Sequence, residues 1–162
     1  MERKKAYGPY EAFMLGIDLE EAGRDFYTRV SEKTADYRVR DLFSHLAEAE
    51  VEHKRVIREE IEPKFVAEWY REEDQQMMAE YLHNVEHQPV FPEPDDADHY
   101  AHLIHNPAEA LDMGIRAEKL SIDYYAFLRD ATQDAHGKES FERLRLEEVK
   151  HLERLQGLRE EL

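Results

Sequence analysis

The sequence predicts an all-α protein, a four-helix bundle built from two helical hairpins that an internal repeat relates. Hydrophobic residues make up 41% of the 162 residues and charged residues 37%, which is typical of amphipathic helices with solvated outer faces. Six glycines and six prolines provide few turns, so the elements are expected to be few and long. Shifting the sequence by 98 positions aligns residues 8–57 with 106–155 without a gap. Fifteen of the 50 aligned pairs are identical, where this composition alone gives about 4.

The charge and the absence of cysteine exclude several classes of function. The chain has 38 acidic and 22 basic residues and a formal net charge of −16, which argues against binding a nucleic-acid backbone. Without cysteine it has no disulfide, no thiolate catalysis, no cysteine-bound zinc and no iron–sulfur or rubredoxin-type centre. No apolar run has membrane length and Met1–Tyr10 lacks a signal-peptide core, so we expect a cytoplasmic protein that binds no membrane.

The first hairpin is predicted over residues 8–61. Its start, Gly8 to Glu11, has proline at the first helical position and an acidic residue in the first turn. Apolar residues then recur at helical spacing, namely Phe13, Ile17, Tyr27 and Val30. A break is expected between Lys33 and Tyr37. The apolar stripe of the second helix consists of Leu42, Phe43, Leu46, Val56 and Ile57.

A long crossover is predicted over residues 62–105, beginning at Pro63. The pattern indicates a helix over Lys64–Val85, an irregular stretch over Gln88–Pro94 and a short helix near Asp96–Ile104. Four large side chains are expected to pack the crossover or a subunit contact: Trp69, Tyr70, Met77 and Met78.

The second hairpin is predicted over residues 106–160. Asn106 is expected to cap its first helix, with Pro107 and Glu109 in the first turn. A break is expected over Thr132–Gly137, before a helix that carries Phe141, Leu144, Leu152, Leu155 and Leu158. Two hairpins joined by a long crossover place the second and third bundle helices parallel. We therefore expect one domain over residues 1–162, with a pseudo-twofold axis that brings equivalent residues together at mid-bundle.

Both copies carry polar residues on the stripes that should face the core. Glu20 follows Ile17 by three positions, and Glu50 and His53 continue the stripe of Leu46. The equivalent residues of the second copy are Glu118, Glu148 and His151. A carboxylate buried alone in a bundle carries an effective penalty of several kcal/mol, and four together also repel one another.

Two divalent cations would supply +4 against the −4 of four carboxylates, with the two imidazoles as neutral ligands. Glu and His three positions apart project from one helix face and can reach one ion. The alternative is a duplicated bundle whose buried acids are protonated or paired with other groups. Glu80 and His83 have the same spacing without a copy 98 positions on, so we interpret them as surface residues.

Other polar residues leave two interpretations open. Tyr27 and Tyr125 either hydrogen-bond ligand carboxylates or fill the core with their hydroxyl groups satisfied elsewhere. The histidines of the crossover either form an accessory metal site or, as the better interpretation, are exposed side chains. They are His83, His87, His99, His102 and His105.

Three segments resemble the helix motifs of rubrerythrin-like proteins, members of the ferritin-like diiron superfamily. They are Ile17 to Tyr27 with the run IDLEE, Leu42 to His53 ending in EVEH, and Asn106 to Tyr125 with NPAEAL and AEKLSIDYY. The resemblance implies a ferritin-like fold and two iron ions, with Glu20 and Glu118 as terminal ligands. It further implies that Glu50 and Glu148 bridge the ions, and that His53 and His151 bind one ion each. Manganese or a mixed Mn/Fe pair would suit the same ligands.

The resemblance also implies a reaction with hydrogen peroxide or O2, as in a rubrerythrin-like peroxide reductase or oxidase. It further implies a homodimer, which the aromatic-rich crossover supports. Classical rubrerythrins carry a cysteine-bound rubredoxin-like domain, and this chain has none, so an external electron donor such as a rubredoxin-like protein is expected. Ser121 stands where they carry a further Glu ligand, which makes the site closer to the symmetric six-ligand site of bacterioferritin-like proteins. Two alternatives are a ferroxidase or iron storage and delivery protein, and a non-catalytic interaction protein with a structural metal.

Overall fold

A computed structural model describes residues 8–64 and 75–162, and all the helices predicted for the two hairpins are present. Their bounds are α1 (Pro9–Lys33), α2 (Tyr37–Val56), α3 (Gln75–Glu86), α4 (Ala97–His105), α5 (Pro107–Ala131) and α6 (Ala135–Glu161). The expected all-α class is therefore confirmed. None of the helices in the described ranges is long and apolar enough to cross a membrane.

An aspartate caps the second helix of each hairpin. Asp36 accepts hydrogen bonds from the backbone N–H groups of Arg38 and Val39, at 2.9 and 3.3 Å, and so caps α2. Its repeat equivalent, Asp134, accepts one at 2.8 Å from Gly137 and caps α6. A side-chain acceptor satisfies backbone donors that have no partner in the first helical turn. The predicted breaks are thereby confirmed, with α6 beginning at Ala135, inside the range expected for the second break.

The start of α5 corrects one expectation. Asn106 occupies the N-cap position before Pro107, but its side chain makes no capping hydrogen bond. Its Nδ2 donates instead to the carbonyl oxygen of His102, at 2.6 Å. The close succession of α4 and α5 explains this difference, because the last carbonyl groups of α4 also need hydrogen-bond donors.

The crossover follows its predicted pattern where it is described. α4 confirms the short helix, and residues 88–94 contain no regular element. The helix expected from Lys64 is described only from Gln75 onward, and the predictions for Phe65, Trp69 and Tyr70 lie outside the described residues. α2 continues into a π-helical turn, Ile57–Ile61, which the sequence pattern does not predict. A short 3₁₀ turn, Glu62–Lys64, follows it.

The core consists of two apolar clusters, one toward each end of the bundle. The first cluster contains Phe13 near the start of α1 and Phe141 near the start of α6. It also contains Ile57, directly after the C-terminal end of α2, and Leu128, near the C-terminal end of α5. The second cluster contains residues from the opposite ends, including Val39 of α2 and Ala110 of α5. α2 and α5 therefore run parallel, as the long crossover predicts. The space between the clusters is where the polar residues of the four long helices lie.

Candidate metal centre

Six acidic and imidazole side chains are buried between the two apolar clusters. α1 and α5 each contribute one glutamate, and α2 and α6 each contribute a glutamate and a histidine: Glu20, Glu118, Glu50, His53, Glu148 and His151. Every one of them is at most 6% exposed. The structure thus brings together all six residues that the inward stripes predict, with none of them directed to solvent.

The six residues form two overlapping groups of possible ligands. Glu20, Glu50, His53 and Glu148 each offer one ligand atom, and these atoms lie within 4.8 Å of one another. The same holds for a second group, made of Glu50, Glu118, Glu148 and His151. Glu50 and Glu148 belong to both groups. A pair of carboxylates shared between two four-residue groups is suited to holding two cations side by side.

His53 is surrounded by carboxylates on both edges of its ring. Its Nδ1 lies 3.0 Å from Oε1 of Glu148, 3.5 Å from Oε2 of Glu20 and 4.0 Å from Oε2 of Glu50. Its Nε2 donates to Oε2 of Glu147, at 2.7 Å. Burial alone would lower the pKa of His53, but the contacts with Glu148 and Glu20 outweigh it and raise the pKa to about 12. In the metal-free protein the ring is therefore a cation that holds the carboxylates together.

His151 has a different environment, although it is the repeat equivalent of His53. Its Nδ1 lies 3.1 Å from Oε2 of Glu148 and 4.0 Å from Oε1 of Glu118. Burial lowers the pKa of His151, and the nearby His53 lowers it further against the opposing effect of Glu118. The two rings stack with their centroids 5.5 Å apart. At neutral pH the metal-free centre thus contains one charged and one neutral imidazole.

Two buried tyrosines hydrogen-bond the glutamates of the opposite hairpin. Tyr27 of α1 donates to Oε1 of Glu118, at 2.7 Å, and Tyr125 of α5 donates to Oε1 of Glu20. Burial, reinforced by the adjacent carboxylates, raises the pKa of both tyrosines well above the usual value. Both hydroxyl groups therefore stay protonated and keep donating. Each tyrosine packs in an apolar cluster, and its hydroxyl group is satisfied by a carboxyl group of the centre, as the first interpretation expects.

The carboxyl groups differ in how readily they ionise in the absence of a cation. Burial, reinforced by Glu20 and Glu148, raises the pKa of Glu50 well above its usual range. Burial and the charge of Glu148 do the same for Glu118. Burial alone would also raise the pKa of Glu20, but the contacts with Glu50 and His53 outweigh it and lower the pKa. Protons thus offset part of the negative charge, as expected where several carboxyl groups share a dry site.

Two buried oxygen atoms show how the donor set fits metal ions. Oε2 of Glu20 and Oε2 of Glu118 are inaccessible to solvent and make no hydrogen bond with any described residue. Buried polar atoms without a partner are rare because their desolvation is uncompensated. One such oxygen lies in each ligand group, on the residue that belongs to that group alone. Carboxylate and imidazole donors of this kind suit iron, manganese and other first-row divalent ions.

Glycine provides close approaches to the centre at two positions. A Cβ at Gly114 would lie 3.4 Å from both Cε1 and the hydroxyl oxygen of Tyr27, so glycine leaves room for this ring. A Cβ at Gly23 would lie 3.3 Å from Cδ of Glu50, which is tight contact with a possible ligand. The repeat equivalent of Gly23 is Ser121. Ser121 lines a cleft of about 300 Å³ between α1, α5 and the crossover, and it belongs to neither ligand group.

The remaining candidates lie away from the centre. Glu80 is exposed, and so are the five crossover histidines, His83, His87, His99, His102 and His105, which confirms their interpretation as surface residues. His102 pairs with Glu109, with 2.6 Å between Nε2 and Oε2. Within the described ranges, only the two groups of the metal centre bring three or more such ligand atoms together.

Glu147 is the one residue of the centre that the sequence pattern missed. It reaches Nε2 of His53 from an exposed position on α6, next to Glu148. The 98-position comparison selects residues that recur in both copies, and the equivalent of Glu147 is Ala49. The only sequence signal for Glu147 is its position directly before the buried Glu148, from which an acidic side chain can reach a facing helix.

Comparison with known proteins agrees with the fold and shows the family. The family model described as rubrerythrin matches residues 11–159. A solved structure from Anabaena variabilis, a two-domain protein containing DJ-1/ThiJ/PfpI-like and ferritin-like domains, superimposes with a TM-score of 0.63 and 13% identity. That match covers 94% of this chain and 39% of the other, so this chain spans about two fifths of its length and the likeness concerns the fold. No curated protein matches in sequence. The chain has a ferritin-like helical bundle and belongs to the rubrerythrin family.

Proposed function

We propose that this chain is a non-haem diiron protein that reacts with hydrogen peroxide or O2. The observation that carries the proposal is the sharing of Glu50 and Glu148 between the two ligand groups. Two ions held by common carboxylates are close enough for both to engage one O–O bond. Membership of the rubrerythrin family supports iron as the metal, and manganese or a Mn/Fe pair suits the same donors.

The proposed ligand roles follow from the position of each residue. Glu50 and Glu148 would hold both ions, because they alone belong to both groups, and Glu20 and Glu118 would each hold one ion as a terminal ligand. Tyr125 and Tyr27 orient the terminal glutamates by donating to one oxygen of each. The second oxygen of each terminal glutamate makes no hydrogen bond with a described residue and could bind an ion.

The residues around the centre control water and protons. When bound, two Fe(II) ions supply the two electrons that, with two protons, convert one hydrogen peroxide molecule into two water molecules. The apolar clusters close the centre at both ends, with Ile57 and Leu144 on one side and Leu46 and Leu155 on the other. Glu147 is exposed and hydrogen-bonds His53, so it connects the buried imidazole to solvent as a site for proton exchange.

Recycling the centre requires an electron donor from outside this sequence. The chain has no cysteine, so it cannot itself bind iron in a rubredoxin-type centre. A separate rubredoxin-like protein or reductase is the proposed donor. A homodimer remains a proposal, since the residues around Trp69 that favoured it lie outside the described ranges.

The test loads the protein with Fe(II) without oxygen, removes unbound iron, and then adds one equivalent of peroxide or air. We expect two iron ions per chain, oxidised by one peroxide per pair much faster than free Fe(II) in the same buffer. Absorption of Fe(III) and iron analysis measure both quantities. The double variant Glu50→Ala/Glu148→Ala should lose the effect, and Glu153→Ala, at an exposed position on α6, should retain it.

Two results would contradict the proposal. Oxidation no faster than that of free Fe(II) would exclude a reaction centre for peroxide or O2. Continued uptake beyond two ions per chain would favour the alternative, a ferroxidase that stores or delivers iron. If both the reduced and the oxidised protein keep two ions per chain, the diiron oxidoreductase is favoured.

A further inference from the structure

The two histidines of the centre differ at the ring nitrogen that faces away from the carboxylates. Nε2 of His53 donates to Oε2 of Glu147 at 2.7 Å, while Nδ1 of the same ring faces Glu148 and Glu20. The side chain of Glu147 is 53% exposed and that of His53 only 1%. The carboxylate thus lies at the surface and holds the buried ring by its outer edge.

His151 has no corresponding partner. The described residues give it a ring hydrogen bond through Nδ1, to Glu148, and none through Nε2. The repeat places Ala49 at the position equivalent to Glu147, and a methyl group accepts no hydrogen bond. Among the described residues, a carboxylate therefore holds Nε2 of the histidine in one half of the centre and not in the other.

We propose that Glu147 is a positioning residue that makes the two metal positions unequal. Position 1, formed by Glu20, Glu50, His53 and Glu148, binds the first divalent ion more tightly than position 2, formed by Glu50, Glu118, Glu148 and His151. The inference deepens the proposed function and rests on its metal centre.

The physical reason lies in the tautomer of His53. When an ion takes the place of the proton on Nδ1, the proton that Glu147 holds on Nε2 keeps His53 in the tautomer whose Nδ1 lone pair faces the ion. Loss of such a carboxylate partner weakens metal affinity by about 10–100-fold. The ring of His151 must be oriented by packing and by Glu148 alone.

The test is an anaerobic titration of the metal-free protein with Co(II), followed by visible absorption. The unaltered protein should show two separate binding events. Glu147→Ala should weaken the Co(II) affinity of the first event by about 10–100-fold and leave that of the second nearly unchanged, so that the two affinities become more similar. Glu147→Gln should restore part of the difference, because its amide oxygen still accepts from Nε2. Glu153→Ala removes one exposed negative charge from the same helix and should change neither event.

A second readout separates positioning from a general effect on folding. In the zinc-loaded protein, the ¹⁵N resonances of His53 should show the proton on Nε2, and Glu147→Ala should shift the Nε2 resonance. Circular dichroism of metal-free Glu147→Ala should show the same helix content as Glu153→Ala.

The outcomes distinguish this inference from the proposed function. If Glu147→Ala leaves the first event within about twofold of the unaltered protein, or weakens both events equally, the inequality is wrong and the metal centre stands. If the unaltered protein binds no Co(II), the metal centre itself is wrong.

Discussion

His53 and His151 occupy equivalent positions on α2 and α6, and their rings stack, but their surroundings differ. Three carboxylates face Nδ1 of His53 within 4.0 Å and a fourth holds its Nε2, and its pKa is raised to about 12. His151 approaches two carboxylates, and burial lowers its pKa. The same residue type at the same repeat position is charged in one half and neutral in the other.

The glutamates show the same contrast. The pKa of Glu20 is lowered by its contacts, whereas that of Glu118 is raised by burial and by Glu148. The lesson is that a repeat specifies which groups enter the core, while the partners each group meets across the bundle set its charge. Three predictions test this difference.

The largest effect is expected from removing a shared ligand. Glu148→Ala should abolish binding at both positions, weakening affinity by more than about 100-fold, because Glu148 belongs to both groups. Glu20→Ala should leave the second group complete and reduce the content to one ion per chain. Metal analysis after anaerobic loading and desalting measures the difference. Equal losses in the two variants would contradict the overlapping arrangement.

The next effect concerns the stability of the metal-free protein between about pH 7 and pH 9. In this range the folded state retains the extra proton on His53, whose pKa is raised to about 12, while the unfolded state releases it. The raised pKa values of Glu50 and Glu118 act in the same direction. Rising pH therefore favours unfolding, by up to about 1.4 kcal/mol per pH unit for each such proton. The lowered pKa values of Glu20 and His151 act mainly below this window.

Urea unfolding at several pH values measures this dependence. Bound divalent metal should flatten it, because the ions replace the protons as counter-charge. A metal-free protein whose stability is constant or rises from pH 7 to pH 9 would show that the buried groups carry no excess protons.

The smallest effect distinguishes the two tyrosines. Tyr125→Phe and Tyr27→Phe each remove a donor from a buried carboxyl group, and each should destabilise the metal-free protein by about 1–3 kcal/mol. Tyr125→Phe should be the more harmful, because its acceptor, Glu20, has a lowered pKa and is the more readily ionised. Denaturant midpoints compare them, with Tyr10→Phe as an exposed control. A larger loss in Tyr27→Phe would reverse the assignment of charge between the two halves.

Much of the fold and the centre was accessible from the sequence. Helical periodicity and the breaks at Lys33–Tyr37 and Thr132–Gly137 predicted the hairpins, because these signals act over a few neighbouring residues. The repeat predicted that Glu20 and Glu118, with their partners, face the core. The capping hydrogen bond expected from the side chain of Asn106 is not formed; this side chain donates instead to the carbonyl oxygen of His102 in the preceding helix. The π-helical turn at Ile57–Ile61 has no periodic signal of its own.

The sequence by itself determined that two equivalent sets of a glutamate, a glutamate and a histidine lie on inward stripes, because burial pattern and spacing are local properties. Only the tertiary structure decided that Tyr27 serves Glu118 and Tyr125 serves Glu20, each across the hairpins. It also decided that Glu147 holds His53, while among the described residues none does the same for His151. The reason is physical: electrostatic interactions depend on distances between separate helices, and those distances exist only after the bundle has packed.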